Sequence, residues 1–471
     1  MATSYKVQFW EHRHRPDRRK PFMVRWSVAG REFSESFLTK TQADGRKAEL
    51  ITAARAGEPF DVDRGLPLSE LRKEKQVTWY QLARNYVEKR WSGAPAKTRT
   101  TWADALATVT FELVKSKAGM PDRRVVRRAL YSWGFNVNQW SKEAPPEIER
   151  ALAWVAKNSV LVSAFEEPKT VRRLLDALAV KLDGKPAAAT VTLRKRRIVN
   201  HIFGYAVEEG LLVVNPLPLV QWQPPEVEDE LDPGVVVNPE QAALLMAAVG
   251  RQGRRGARLV GFFGCIYYAW MRPAEVVNLK IERCHLPAQG WGRLILDETR
   301  PRVGSSWTDD GTPHDKRGLK HRAAKATRPV PIPPELVAIL RAHIDAYGVA
   351  PDGRLFRTSR DGMVQESGYG VVWKRARTEV LSPADCATPL GRRPYDLRHA
   401  GISLGLNSGV DPTEVARRAG HSVAVMLRVY AKCLHGTEDY ANELISQRLA
   451  RSSRAVPRAV PPADPGPDPG P

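Results

Sequence analysis

A chain of 471 residues carrying a formal charge of +21 is too long for a single core, and its positive field draws polyanions, nucleic acid first and an anionic membrane surface second. Hydrophobic residues make up 42% and charged residues 27% of it, which excludes a largely disordered chain and suggests about two to four globular domains. The longest apolar run, Leu259–Met271, is too short to span a bilayer and reads as a buried helix, and Met1–Trp10 lacks the basic-then-apolar pattern of a signal peptide.

Residues 1–64 contain three alternating runs, Lys6–Trp10, Phe22–Trp26 and Arg31–Phe37, which predict a small half-buried sheet, followed by a helix over Thr41–Ala56. Cations crowd the first connection: Arg13, Arg15, Arg18, Arg19 and Lys20. They suit a DNA groove and an ordinary solvated hairpin equally well. Residues 75–212 read as almost wholly helical, with apolar residues at helical spacing in segments starting near Thr78, Lys97, Arg123, Pro146, Thr170 and Ala188. The last segment holds Arg194, Lys195, Arg196 and Arg197. Consecutive cations point to all sides of a helix, so some face outward, toward solvent or toward phosphates. Residues 213–237 carry Pro216, Pro218, Pro224, Pro225 and Pro233, a density that predicts an extended linker. A third folded unit spans 238–450, and 451–471, rich in Pro, Gly and Ala, is expected to be disordered.

The third unit carries the chemistry. The apolar helix ends near Trp270, and Pro273 suits the first position of a new helix. Arg272 therefore sits at the junction, held out of helical geometry by the proline, with Glu275 in the first turn beyond. Further on, Asp396 is placed to cap a helix whose apolar stripe is Leu397, Gly401 and Leu404, with Arg398 in its first turn. Asp411-Pro412-Thr413-Glu414 is a strong helix start, Gly420 ends that helix, His421 falls in the turn, Ser422 caps the next segment and Tyr430 follows. Each piece has a bland reading: a surface arginine, a packed tyrosine, or a simple helix–turn–helix that reads DNA. Four scattered cysteines, Cys265, Cys284, Cys386 and Cys433, form no C-x-x-C pair. That argues against zinc or a disulfide framework and fits a reducing cytoplasm.

Taken in order, Arg272 with Glu275, Leu397-Arg398-His399, Gly420-His421-Ser422 and Tyr430 resemble the signature of the tyrosine recombinases, which include phage and conjugative-element integrases. The resemblance covers nearly the whole chain. It implies a multidomain, mainly α protein with small β-sheets (α+β). A three-stranded arm-type DNA-binding domain (1–64) would precede a helical, SAM-like core-binding domain (75–212), a linker (213–237), a mixed α/β catalytic domain (238–450) and the tail (451–471). It also implies that Tyr430 attacks a DNA phosphodiester, leaving a 3′-phosphotyrosine and a free 5′-hydroxyl, with no metal, ATP or other cofactor. Arg272 and Arg398 would clamp the phosphate, His421 would be a third donor, and Glu275 would orient its neighbours. A lysine on a hairpin between the arginine boxes would protonate the leaving oxygen; Lys320 is the first choice and Lys325 the second. The position three before Arg398, often histidine in the family, is Tyr395 here, which cannot become a cation near neutral pH. Expected partners are two double-stranded attachment sites, three further copies of the chain in a tetramer and an accessory directionality protein, with no membrane.

Three other functions fit less of the pattern. A catalytically silent DNA-binding regulator on the same scaffold predicts binding without a covalent adduct. A type IB topoisomerase shares the nucleophile but has no use for an arm-type domain. A metal nuclease needs a ligand-spaced Asp, Glu and His cluster that the sequence lacks.

Overall fold

The structure, a computed structural model, describes residues 2–74, 77–227, 230–319, 326–433 and 437–453. It is mainly helical with small antiparallel sheets, as expected. The chain divides into two compact units: Met1–Val227 with Val303–Thr312, and Glu228–Arg302 with Pro313–Pro471.

In the first unit the strand Phe22–Val28 pairs antiparallel with Val7–Phe9, Arg13–His14 and Arg31–Phe37. Its alternate residues Val24, Trp26 and Val28 are buried with Leu50 of the helix Lys40–Arg55, as a period-two pattern demands. Thr39 caps that helix by accepting from the Gln42 N–H at 3.3 Å. The three expected strands are present, and the basic connection adds the short strand Arg13–His14. Arg13, Arg18, Arg19 and Lys20 are exposed and Arg15 is half-buried.

The six expected helical segments are Trp79–Arg90, Ala96–Thr110, Arg123–Ala129, Pro146–Asn158, Pro168–Leu178 and Ala189–Glu208. They close around Trp79, Phe165 and Phe203, whose rings meet edge-on or tilted at 4.9–5.8 Å. Two expectations need correction here. Lys195 does not face outward: it is buried, with Nζ 3.1 Å from Asp104 Oδ2 and 2.8 Å from Thr108 Oγ1. A helical period places it on the packed face, and the carboxylate compensates the buried charge. Arg194 and Arg197 are exposed, and Arg196 lies over the Trp222 ring at 4.8 Å.

The predicted linker is not a loose tether either. Leu212, Leu217 and Val220 are buried in the helical core, and Val237 is buried in the core of the second unit. The apolar residues between the prolines anchor both ends. The segment Val303–Thr312 belongs to the first unit. Trp307 is 5% exposed beside Trp91 and Tyr131, and Asp309 pairs with the buried Arg99 at 2.6 Å.

The second unit is built on an antiparallel sheet in the order Arg328–Ile332, Gly292–Leu296, Cys284–His285. The helices Pro239–Gly250, Val260–Tyr268, Pro334–Tyr347 and Glu366–Val380 contribute the main core around Phe262, Phe263 and Trp373. A smaller core joins Trp270, Ile402, Leu406, Val415, Ala419, Met426 and Tyr430, and it carries the candidate site. Among the described residues no helix is long and apolar enough to cross a membrane.

Candidate active site

The helix Val260–Tyr268 stops where Trp270 takes a left-handed backbone, φ 51°. That conformation is unfavourable for a bulky residue and needs support from its surroundings. Support comes from the helix Asp396–Asn407, where Gly401 and Gly405 admit the indole so closely that a Cβ at either position would overlap it. The Trp270 carbonyl then accepts from Arg398 Nη1. Arg272 follows in extended geometry (φ −74°, ψ 143°) before Pro273, as the proline requires. Its backbone N–H donates to Glu275 Oε2 at 2.8 Å and its Nη1 to Glu275 Oε1 at 3.0 Å.

The helix Pro412–Ala419 is capped by Asp411, which accepts from the Thr413 N–H at 2.8 Å. It ends at Gly420, φ 68°, the left-handed stop that glycine favours. This turn draws the two arginines together. Arg398 Nη2 donates to the Ala419 carbonyl at 2.6 Å and Arg272 Nη2 to the Gly420 carbonyl at 3.1 Å. Arg398 Nη2 also meets His421 Nε2 at 2.9 Å. Because a guanidinium only donates, His421 Nε2 is the acceptor and its proton sits on Nδ1. That Nδ1 and Arg398 Nε are buried without a hydrogen-bond partner among the described residues.

Beneath them lies Glu275, fully enclosed, with Arg328 Nη2 at 2.8 Å from Oε2. Burial pushes its carboxyl up, but Arg328, Arg272 and Arg398 outweigh that and hold it at about 2. Burial lowers Arg398 to about 10, so it remains a cation at neutral pH. Burial and the charges of Arg398 and Arg272 hold His421 at about 3. Tyr430, at the end of the helix Val423–Tyr430, is 1% exposed. Burial pushes its phenol upward, against the pull of Arg398. Its hydroxyl lies 2.8 Å from His399 Nδ1, and its ring stacks 6.4 Å from that of His421. Tyr395 packs edge-on against His399 at 5.1 Å.

No protein-family model matches the chain. Among curated proteins the chain is similar to the integrase of Mycobacterium phage L5, 22% identical over 262 residues covering 54% of this chain and 62% of that one. It is likewise similar to the integrase of Mycobacterium phage FRAT1, 23% identical over 239 residues covering 50% and 62%. These similarities support a place for the chain in the tyrosine recombinase/phage integrase family. It spans about three fifths of the length of these relatives. Among solved structures, the Tn1549 transposon integrase in complex with transposon right end DNA aligns at 15% identity and a TM-score of 0.47, over 73% of this chain and 99% of that one.

Of the family signature read in the sequence, Arg272, Glu275, Arg398, His421 and Tyr430 meet in one pocket, with Tyr395 against its edge. Lys320 and Lys325 lie outside the described residues. Two local details differ from expectation. Asp396 does not cap its own helix; its carboxylate turns back to the Arg393 N–H at 2.7 Å, because the helix begins on Tyr395, itself in αR geometry. Leu404 is 38% exposed, so the buried stripe runs through Leu397, Ala400 and Gly401 instead. Sequence reasoning missed two members of the pocket, Arg328 and His399. Nothing in the sequence singles out Arg328. His399 stood in the Leu-Arg-His box, with nothing to say that it faces Tyr430.

Proposed function

We propose that this integrase-family chain is a site-specific DNA recombinase that cuts and rejoins DNA through Tyr430, integrating or excising a mobile element. The observation that carries the reading is the convergence of two arginines on the turn Ala419–His421, with His421 bound to one of them and the Tyr430 ring stacked on His421. Tyr430 Oη attacks the scissile phosphorus and the 5′-oxygen departs, so the phosphodiester is conserved as a 3′-phosphotyrosine. A 5′-hydroxyl from the partner strand reverses the step at a new junction. Charge gathers on the non-bridging oxygens during the transfer, and Arg272 and Arg398 neutralise it with paired N–H donors. Both now donate to backbone carbonyls, which are the weaker acceptors; a phosphate competes for the same hydrogens. His421 Nδ1–H is a further donor, Glu275 fixes Arg272, and Lys320 is the acid for the leaving oxygen.

Arg13, Arg15, Arg18, Arg19 and Lys20 on the N-terminal sheet, with Arg194, Arg196 and Arg197 on the helical domain, are the candidate contacts to the DNA backbone. The helix Thr437–Ser453 exposes Leu444, Ile445 and Leu449, an apolar face suited to a neighbouring copy in a tetramer on two attachment sites. Removing all residues beyond Gly436 would then abolish synapsis while sparing cleavage of a single site; intact synapsis would discard this role.

The deciding experiment incubates a nicked suicide substrate with wild type and Tyr430→Phe. A covalent protein–DNA adduct in the wild type alone is the expected result. Specific binding with no adduct from either protein would leave a DNA-binding regulator in its place.

A further inference from the structure

The family signature gives no task to two members of the pocket, Arg328 and His399; Arg328 is paired with Glu275, whereas His399 touches the Tyr430 hydroxyl. We propose that His399 is a catalytic residue of this reaction, taking the proton of Tyr430 onto Nδ1 as the phenol oxygen attacks phosphorus. The inference rests on the recombinase reading above. Its first support is placement: Nδ1 lies 2.8 Å from Tyr430 Oη, within the reach a general base needs. A phenol is the better donor and an imidazole nitrogen the better acceptor, so the bond is O–H···N and the remaining ring proton sits on Nε2.

The second support is what surrounds it. Arg398 and Arg393 bear on His399 electrostatically, Tyr395 packs on its ring and His421 lies next to it. Burial comes first and the two arginine charges second in holding the imidazole at about 4. It is therefore unprotonated, and able to accept, across the neutral range. The third support is that, among the described residues, the neighbouring groups of the pocket are poorly placed to act as the base. His421 Nε2 is already occupied by Arg398, and the position three before Arg398 is a phenol.

Because free His399 is a weak base and the buried phenol a weak acid, transfer does not precede attack. The proton moves as the Oη–P bond forms, since bonding to phosphorus acidifies the phenol and the arriving phosphodiester offsets the arginine charges. The Tyr430 O–H bond breaks and an Nδ1–H bond forms. The P–O5′ bond breaks with its electron pair on the 5′-oxygen, which takes a proton from the general acid, for which Lys320 is the candidate. On rejoining, each proton returns along its path.

The test is single-turnover adduct formation on a nicked suicide substrate by the full chain carrying His399→Gln, which can hydrogen-bond but not act as a base. The expected loss is roughly 100- to 1,000-fold in rate, with DNA binding unchanged. The rate of the variant should rise with pH where that of the wild type is flat. Tyr430 is then replaced by 3,5-difluorotyrosine, a more acidic phenol, in both backgrounds. Recovery of at least tenfold in His399→Gln, with little change beside the natural histidine, is the result the proposal requires. Wild-type rates in His399→Gln, or an equal loss with both phenols, would overturn it. His399→Asn serves if the glutamine variant does not fold, as judged by its circular dichroism melt. If wild type itself forms no adduct, the recombinase reading fails first, and the two failures are distinguishable.

Discussion

Replacing Arg328 by methionine removes one charge from beneath the pocket while keeping similar bulk. Arg328 and Glu275 are each 2% exposed and lie 2.8 Å apart, so the variant strands a carboxylate where water cannot reach it. Deleting one partner of a buried pair costs about 3–5 kcal/mol. Glu275 keeps its bonds from the Arg272 N–H and guanidinium, which places the expected loss at the lower end, about 3 kcal/mol. The carboxyl itself sets the pH range of the effect. Burial alone would raise it, yet Arg328, Arg272 and Arg398 together bring it from the ordinary 4.5 to about 2. A depressed carboxyl contributes fully above its unfolded value and loses that contribution as pH falls through its folded value. The gap between wild type and Arg328→Met should therefore be widest at neutral pH and close between about 4.5 and about 2. Urea unfolding across that range measures it, together with Glu275→Gln alone and combined with Arg328→Met. The double variant should lose less than the sum of the singles by about 1–3 kcal/mol. A variant within about 0.5 kcal/mol of wild type at pH 7, or strict additivity, would refute the reasoning.

Other perturbations test neighbouring parts. Arg272→Lys keeps a charge but cannot serve Glu275 and the Gly420 carbonyl at once; adduct formation should fall about 100- to 1,000-fold, with gel-shift affinity nearly unchanged. Gly420→Ala forces a side chain into left-handed backbone and against the Arg328 guanidinium. It should cost about 1–2 kcal/mol for the backbone alone, and more with the collision, read as a lower melting temperature that Gly290→Ala at an open turn sets in proportion. Trp307→Ala empties the slot beside Trp91 and Tyr131. Loss of up to about 3–5 kcal/mol should release Val303–Thr312, seen as faster proteolytic nicking there; an unchanged cleavage pattern would show that the indole does not hold the segment.

Local signals in the sequence predicted local structure well. The proline at Pro273, the acidic cap at Asp411 and the glycine stop at Gly420 each act within one helical turn, and each stands where its chemistry puts it. The family signature named Arg272, Arg398, His421 and Tyr430, and all four lie at or beside the turn Ala419–His421. What was not legible depends on distant pairing. Lys195 was grouped with three neighbouring cations as a candidate DNA contact, and Asp104 and Thr108, from another helix, explain its burial. Arg328 meets Glu275 across 53 positions and His399 meets Tyr430 across 31. No periodicity encodes such meetings. The prolines of 213–237 predicted a tether, but the leucines and valines among them found cores to enter.

The segment Val303–Thr312 has a consequence for how this chain can be taken apart. Because its indole and its aspartate are stored among residues more than a hundred positions earlier, severing the backbone near residue 227 does not yield two self-sufficient pieces. The downstream fragment would carry a loop with a bare tryptophan, an invitation to aggregation. The upstream fragment would keep Arg99 sealed inside with its counter-ion gone. The first unit is closed by a segment from far downstream, and it should fold with that segment in place or not at full strength.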